Sequence, residues 1–379
     1  MVRATHPVRF SILHVAEPQE GGVARCVLGL ASDQLARGWD VAVATHSSGE
    51  LGRRASAAGA RVLPWNAERG LRHVPREIAS LRHELAHEQP DIVHLHSSKA
   101  GLVGRTLVRR RFPTVFQPHS WSFDALRGPP RSLAVAWERY GARWADVIVC
   151  VSDDEHKRGE QHRIAADWRV IPNGVDVQQL SSTTAARHEA RRRLGLGDGP
   201  MVACVGRLSR QKGQDILLRA WPRVLERIPA ATLLLVGDGP AVHELRQAAG
   251  AQVVFAGARD DVPQWLAAAD VVAAPSRWEG MSLVMLEAMA SGRSLVIGDV
   301  SGAREALGQK AGAIVPVEDS DALAAALIER LLDPSASAAE GRNGRKRAEQ
   351  FYDLRLTTAR FAQLYAEVAA RPSAVSSSA

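Results

Sequence analysis

Short apolar, β-branched runs recur along the whole chain, each followed by a longer amphipathic stretch, and this alternation limits the fold more than any other feature. In the first half the runs are VRFSILHV, DVAVATH, DIVHLHS, TVFQPHS, DVIVCVS and WRVIPNGV. From Pro200 a second series follows: MVACVGRLS, ATLLLVGDG, QVVFAGA, DVVAAPS, SLVIGDV and GAIVPV. Strands that alternate with helix-length segments build parallel βα units. A chain of 379 residues also exceeds what one hydrophobic core usually organises. The fold class is therefore read as α/β, two Rossmann-like, doubly wound halves with parallel sheets.

The halves are placed at residues 1–176 and 200–350. Residues 177–199 are polar and rich in Ser, Thr, Arg and Gly, as suits a linker with one short helix. Residues 351–370 read as a helix that starts after a break near Tyr352. Its apolar face, Leu354, Leu356, Phe361, Leu364, Tyr365 and Val368, suits packing on either half, the N-terminal one included. Residues 371–379, RPSAVSSSA, read as a disordered tail.

The formal charge of +7 comes from 48 Lys and Arg against 41 Asp and Glu. The basic residues are scattered apart from two RRR clusters, and no interleaved aromatics accompany them, so no nucleic-acid partner is expected and small anions fit better. Cys26, Cys150 and Cys204 are isolated, which indicates neither a disulfide framework nor a zinc site. No apolar run reaches the ~18 residues that would span a bilayer, and the N-terminus lacks the apolar region of a signal peptide. A cytoplasmic protein is expected. The stretch Arg127 to Val147 mixes Arg131, Arg139 and Arg143 with Trp137 and Trp144; it reads either as a helix packed on its own half or as an interfacial helix that docks at the inner face of the membrane.

In open parallel sheets ligands sit beyond the carboxyl ends of the strands, where loops enter helices with unpaired backbone N–H groups. Three such loops carry chemistry. In EPQEGGVARCV, Gly21 and Gly22 let the backbone approach a ligand, although the segment is not GxGxxG and does not indicate a dinucleotide cofactor. In GRLSRQKGQD, Arg207 and Lys212 place a planar fork and a point charge in one loop, which suits a phosphate. In RWEGMSLVMLEAMASG, Glu279 and Gly280 precede a helix that starts near Ser282, and Glu287 falls within it among Leu283, Leu286 and Ala290. A carboxylate there needs a partner. The vicinal diol of a ribose or hexose is one; a core Arg or the cap of another helix is the alternative.

These segments resemble glycosyltransferase family 4. EGMSLVMLE is similar to the family's E-x7-E element, GRLSRQKGQD to its phosphate-binding segment and VIPNGVD to its linker-proximal strand, and the likeness continues through LLVGDGP, VVFAGARDDVPQWLAAADVVAAPS and VSGAREAL. The resemblance implies a GT-B architecture, two facing Rossmann-like domains with an interdomain cleft, the N-terminal one for the acceptor and the C-terminal one for a nucleotide-sugar donor. It implies that Arg207 and Lys212 hold the donor diphosphate, with Gly21 and Gly22 closing on it. Glu287 would take the ribose hydroxyls. Glu279, Gly280 and the N–H groups of Met281, Ser282 and Leu283 would hold the donor sugar and its leaving phosphate, with the base near Phe255 to Arg259. His119, in QPHSWSF, matches the family's active-site histidine. Ser97, Ser98 and Lys99 are placed at the acceptor on position alone.

The implied reaction is metal-independent hexosyl transfer with retention, by front-face substitution, to a sugar, lipid-linked or small-molecule acceptor hydroxyl in polysaccharide, glycolipid or glycosylated natural-product biosynthesis. No metal and no cofactor are expected. Family frequency points to UDP-N-acetylglucosamine or UDP-glucose as donor. A nucleotide-sugar epimerase or hydrolase on the same fold is the alternative; it would turn over donor without acceptor.

Overall fold

The computed structural model describes residues 9–68, 70–180 and 183–371. They form two compact units, one of residues up to Ile171 together with those from Thr358 onward, the other Pro172–Thr357.

The first unit is a seven-stranded sheet of β1 (Ser11–Ala16), β2 (Asp40–Thr45), β3 (Arg61–Pro64), β4 (Ile92–His96), β5 (Thr114–Gln117), β6 (Val147–Cys150) and β7 (Trp168–Val170), in the order β3-β2-β1-β4-β5-β6-β7. All pairings are parallel. Helices cover both faces, so the strands are apolar throughout instead of alternating. Ile12, Val41, Val43, Val115 and Val147 face one layer, which includes Phe361, Leu364, Tyr365 and Val368 of the helix Leu354–Ala369. Leu13, Val15, Val93, Leu95 and Phe116 face the other.

The second unit is a six-stranded parallel sheet of β8 (Met201–Val205), β9 (Thr232–Val236), β10 (Val253–Gly257), β11 (Val271–Ala274), β12 (Ser294–Gly298) and β13 (Gly312–Val315), in the order β10-β9-β8-β11-β12-β13. The strand order reverses between β1 and β4 in one unit and between β8 and β11 in the other. Such switch points open crevices at the carboxyl ends of the strands.

The division falls between Ile171 and Pro172 and not at residue 176, because the intervening residues bond to the second unit. Val175 donates its N–H to the Tyr352 carbonyl and accepts from Leu354 N–H, both at 2.9 Å. The segment 177–199 is likewise part of that unit. Its helix Thr184–Leu194 packs Ala190 on Ala267 and Ala268, and Arg191 donates to Asp270 at 2.7 Å. Ser181, Ser182 and most of the expected tail, 372–379, lie outside the described residues.

The helix Gly128–Gly141 packs on its own unit through Val135, Glu138 and Gly141. Glu138 accepts from Arg105 at 2.7 Å with both side chains fully buried, and the Arg105 guanidinium lies 3.9 Å over the Phe116 ring. Leu133 and Tyr140 stay exposed on the outer side. No described helix is long and apolar enough to cross a membrane.

Candidate active site

In the second unit the two charged loops follow β8 and β11, neighbouring strands on either side of the switch point. The loop after β8 ends in a single 3-10 turn, Arg210–Lys212, and Gly213. Gly213 has φ +70°, and a Cβ there would lie 2.0 Å from the Pro275 carbonyl oxygen, so glycine is what lets this loop lie against the end of β11. Arg277 fastens the loops further. It donates twice to Asp215, at 2.8 and 2.7 Å, and once to the Arg210 carbonyl at 2.6 Å, while Gln211 donates to the Trp278 carbonyl at 3.0 Å.

The result is an ion pair at the switch point: Lys212 Nζ donates to Glu279 Oε1 at 2.5 Å, and Ser276 Oγ donates to the same oxygen at 2.7 Å. Glu279 is 8% exposed, so it is paired as a buried carboxylate must be. Gly280, Met281, Ser282 and Leu283 follow, all buried, and the helix Leu283–Ala290 starts with Ser282 as its N-cap residue. This helix is apolar all round, which is why it sits inside the unit, and Glu287 is its one ionisable side chain, 3% exposed. Asn173, from the IPNGV segment, donates its amide to the Met281 carbonyl at 2.8 Å and holds the turn from the side. Arg207 lies on the β8 loop with its side chain exposed. Of the residues expected near a base, Phe255 lies under the Arg246 guanidinium at 4.7 Å, and Arg259 pairs with Asp261 at 2.8 Å.

In the first unit the switch point is lined by histidines. His14 on β1 and His94 on β4 are paired in register, and His96 ends β4. A chain of hydrogen bonds runs through them. His14 Nε2–H donates to Gln34 Oε1 at 2.9 Å, His96 Nε2–H to His14 Nδ1 at 2.9 Å, and His119 Nε2–H to His96 Nδ1 at 3.1 Å. The Gln34 acceptor sets this direction, because each neutral imidazole donates from one nitrogen and accepts at the other. Alongside, Tyr365 Oη and His94 Nδ1 share a hydrogen bond at 2.7 Å, and the His94 and His96 ring centroids are 3.8 Å apart.

Burial keeps all four rings neutral, lowering the pKa of His14 to about 4 and that of His119 to about 3, and holding His94 and His96 well below the ordinary value. The backbone around them departs from common geometry: Ser97, His119 and Ser120 have φ of 75°, 59° and 140°. Positive φ at non-glycine residues costs about 1–3 kcal/mol each and gathers at functional sites.

Ser97 and Ser98 begin the helix Ser97–Val108 directly after His96, so they share a corner with His119. Lys99 is turned to another task, since its ammonium donates to the Gly70 carbonyl at 2.5 Å and to both Glu77 oxygens at 3.1 and 2.9 Å. Gly21 and Gly22 form the first turn of the helix Gly21–Ala36 and do not precede it; both are exposed, and Gly21 has φ +79° with open space around it. Sequence reasoning passed over His14, Gln34, His96, Ser276 and Asn173. A signal for the histidines was present: imidazoles inside the apolar strands SILHVA and IVHLH must find polar partners.

Two doubly wound units, each with polar groups gathered at its switch point, define a class of nucleotide-handling α/β proteins, and similarity to known proteins narrows it. Residues 20–179 match the family model "Glycosyltransferase Family 4" and residues 199–333 match "Glycosyl transferases group 1". Phosphatidyl-myo-inositol mannosyltransferase of Mycobacterium tuberculosis is 32% identical over 327 residues, 82% of this chain and 83% of that protein. The chain belongs to glycosyltransferase family 4.

A GDP-mannose-dependent α-(1-6)-phosphatidylinositol monomannoside mannosyltransferase of Mycolicibacterium smegmatis is 37% identical over 236 residues, 58% of this chain and 62% of the relative, so the chain spans only about three fifths of that relative's length. Among solved structures, sucrose-phosphate synthase from Thermosynechococcus elongatus aligns with a TM-score of 0.82 at 24% identity, over 95% of this chain and 99% of that one. Anabaena HepE in complex with UDP and glucose aligns equally well, 0.82 at 24% identity over 95% and 100%. These likenesses fix the fold as GT-B.

Proposed function

We propose that the protein is a retaining, metal-independent glycosyltransferase that moves a hexose from a nucleoside-diphosphate sugar to a hydroxyl of a lipid-linked acceptor. The observation that carries this reading is the Lys212–Glu279 pair beside the start of the helix Leu283–Ala290, at the switch point of the second sheet. When the glycosidic C–O bond breaks, charge develops on the diphosphate, and fixed cations aimed there lower the barrier. Lys212 and Arg207 supply them, and the N–H groups of Met281 to Leu283 add partial positive charge. A diphosphate arriving at Lys212 takes the place of Glu279 as its partner. Glu279, still held by Ser276, is then available to accept from sugar hydroxyls, and Glu287 to accept from the ribose diol.

His119 acts by hydrogen bonding and not as a base. A general base works best with a pKa near the working pH, whereas burial holds this imidazole at about 3. With its Nε2–H engaged by His96, it offers Nδ1 as an acceptor to a substrate hydroxyl. The leaving phosphate oxygen itself takes the acceptor proton, which gives substitution on the same face and retention.

The relatives' names guide the donor. The Mycolicibacterium smegmatis relative is described as GDP-mannose-dependent, and an Escherichia coli relative, 30% identical over 241 residues, as a UDP-Gal:α-D-GlcNAc-diphosphoundecaprenol galactosyltransferase. GDP-mannose is therefore tested first, with UDP-galactose, UDP-glucose and UDP-N-acetylglucosamine beside it. The experiment is a thermal-shift titration of these donors, GDP and UDP, with EDTA present, on the wild type, Lys212→Ala and Glu287→Ala. Ligand that binds only the folded state raises its Tm by mass action. A shift with one nucleotide that both variants lose supports the site. A shift that appears only after metal is added, or that the variants retain, refutes it, and donor turnover without acceptor selects the hydrolase or epimerase reading.

A further inference from the structure

The second unit carries a polar cavity at the end of its sheet opposite the charged loops. Pro200, Asp270 and Arg293, the residues just before β8, β11 and β12, line a space of about 760 Å³ together with the helices Thr184–Leu194 and Pro334–Phe351. Arg207 and Glu279 follow the carboxyl ends of β8 and β11, so the length of a five-residue strand, about 16 Å, separates the two places.

Seven of the lining residues are Arg or Lys and two are Asp, which makes the cavity a cationic one. Four of the cations have partners within the protein. Arg187 and Arg191 share Asp270 at 2.8 and 2.7 Å, Arg330 pairs with Glu340 at 2.7 Å and Arg345 with Glu349 at 2.6 Å. Arg342 and Lys346, both exposed, make no ion pair among the described residues.

The remaining cation, Arg293, is the informative one. It is 7% exposed, and its Nε and Nη2 are shielded from solvent with no hydrogen-bond partner among the described residues. Burial beside Arg187 and Arg191 lowers its pKa only to about 10, so it is charged at neutral pH. A buried charge without a partner is costly. Nε–H and Nη2–H form the edge of a guanidinium that meets two oxygens of one anion side by side. A carboxylate would fill that fork and leave Arg342 and Lys346 unbalanced, whereas a phosphate carries the additional charge and oxygens.

We propose that this cavity binds a phosphoanion, either a soluble phosphorylated compound or the phosphate of a lipid headgroup, through the Arg293 fork with Arg342 and Lys346 at its mouth. The site is separate from the donor loops and does not depend on the donor reading above.

The test titrates inorganic pyrophosphate into the full chain carrying Arg207→Ala and Lys212→Ala, so that binding at the β8 loop is removed, and reads heat and Tm. Binding that persists in this background, is abolished by adding Arg293→Leu and falls about tenfold with Arg342→Ala and Lys346→Ala supports the site. The last two substitutions fall on exposed positions and leave the fold intact. In phosphate-free buffer Arg293→Leu on its own melts at or above the wild-type temperature, because an unpaired buried charge has gone; a lower Tm marks Arg293 as a structural residue and overturns the proposal. Absent pyrophosphate binding, or binding indifferent to these substitutions, also overturns it.

Co-sedimentation with phosphatidylglycerol vesicles, against phosphatidylcholine alone, assigns the source. Binding that pyrophosphate and Arg293→Leu both remove identifies a headgroup, and pyrophosphate binding without vesicle binding identifies a soluble anion. Nucleotide binding by Arg293→Leu with otherwise native loops stays at the wild-type level, so the two sites fail independently.

Discussion

At the switch point between β1 and β4 the first unit holds three neutral imidazoles, His14, His96 and His119, in one hydrogen-bonded chain with His94 stacked on His96; between β8 and β11 the second holds a lysine–glutamate pair at the mouth of a helix. The topological position is the same and the chemistry is opposite. A chain of neutral rings fixes directions: every member has one donor and one acceptor, and Gln34 orients the series. An ion pair fixes charge and can change partner when an anion arrives. Under the proposed function, the first unit orients and the second stabilises charge that develops during transfer.

The largest expected break in this comparison comes from Lys212→Ala. If charge stabilisation resides in the second unit, transfer falls by about 10²–10³-fold, the range seen when one preorganised electrostatic contact to a transition state is removed. Steady-state kinetics with the donor selected above would show it as a fall in kcat, while Glu279→Gln, which keeps a hydrogen-bonding side chain, retains more activity than Lys212→Ala. Loss confined to KM would mean that Lys212 only binds ground-state donor.

How much of this was legible beforehand follows the same line. The alternation of apolar runs gave both sheets, because parallel strands buried on both faces leave a plain sequence signal. The charged positions were also readable, since Arg207, Lys212 and Glu279 follow strand ends where ligands of such sheets sit, and Glu287 falls among apolar residues of a helix where a carboxylate needs a partner. What local sequence could not show was partnership. That Lys212 and Glu279 bond each other depends on β8 lying next to β11 and on Gly213 against Pro275, a matter of topology. The unit boundary was misplaced for the same reason: Val175 is claimed by Tyr352 and Leu354, far along the chain. The imidazole chain joins residues 14, 34, 96 and 119 and is invisible to any window of sequence.

His96→Leu breaks the orienting half. It leaves His14 Nδ1 without its donor and His119 Nε2–H without its acceptor, at about 1–3 kcal/mol for each buried group. His96→Asn keeps an oxygen near the place of Nδ1, so His119 regains its acceptor and part of both stability and rate returns. Side-chain ¹⁵N shifts of His119 report its tautomer: protonated on Nε2 in the wild type and in the Asn variant, mixed in the Leu variant. An unchanged tautomer in His96→Leu would separate His119 from the chain.

Acidification sharpens the contrast by region. A histidine whose folded pKa is depressed contributes stability in full above the unfolded value of 6.5, and loses it as pH falls toward the folded value, about 4 for His14 and about 3 for His119. At pH 5.5 each such ring costs about 1 kcal/mol. Glu155 acts in the opposite sense: burial raises its pKa to about 8, so its contribution is complete below the ordinary carboxylate range and fades as pH rises to 8. Asp124, whose pKa burial raises to about 6, acts in the same sense as Glu155, and the four histidines outweigh the two acids. Hydrogen exchange at pH 7 and 5.5, corrected for intrinsic rates, is expected to show protection lost first in β1 and β4, with β8 and β11 unchanged.

The smallest change in turnover is expected from Lys99→Met. Its position beside Ser97 and Ser98 suits an acceptor contact, but its three ammonium hydrogens already face the Gly70 carbonyl and the two oxygens of Glu77, which is 3% exposed. Glu77 in turn accepts from Glu68 N–H at 2.9 Å, so the lysine holds the segment before the helix Val74–Ala86 in place. Removing it leaves a buried carboxylate with one donor, a loss of about 1–3 kcal/mol that a melting curve would record. The KM for acceptor should move less than about threefold, since a cation whose hydrogens are all engaged has none to give a substrate. A tenfold rise in that KM with unchanged Tm would show instead that Lys99 leaves Glu77 for the acceptor, and that the first unit, like the second, exchanges an internal ion partner for a substrate.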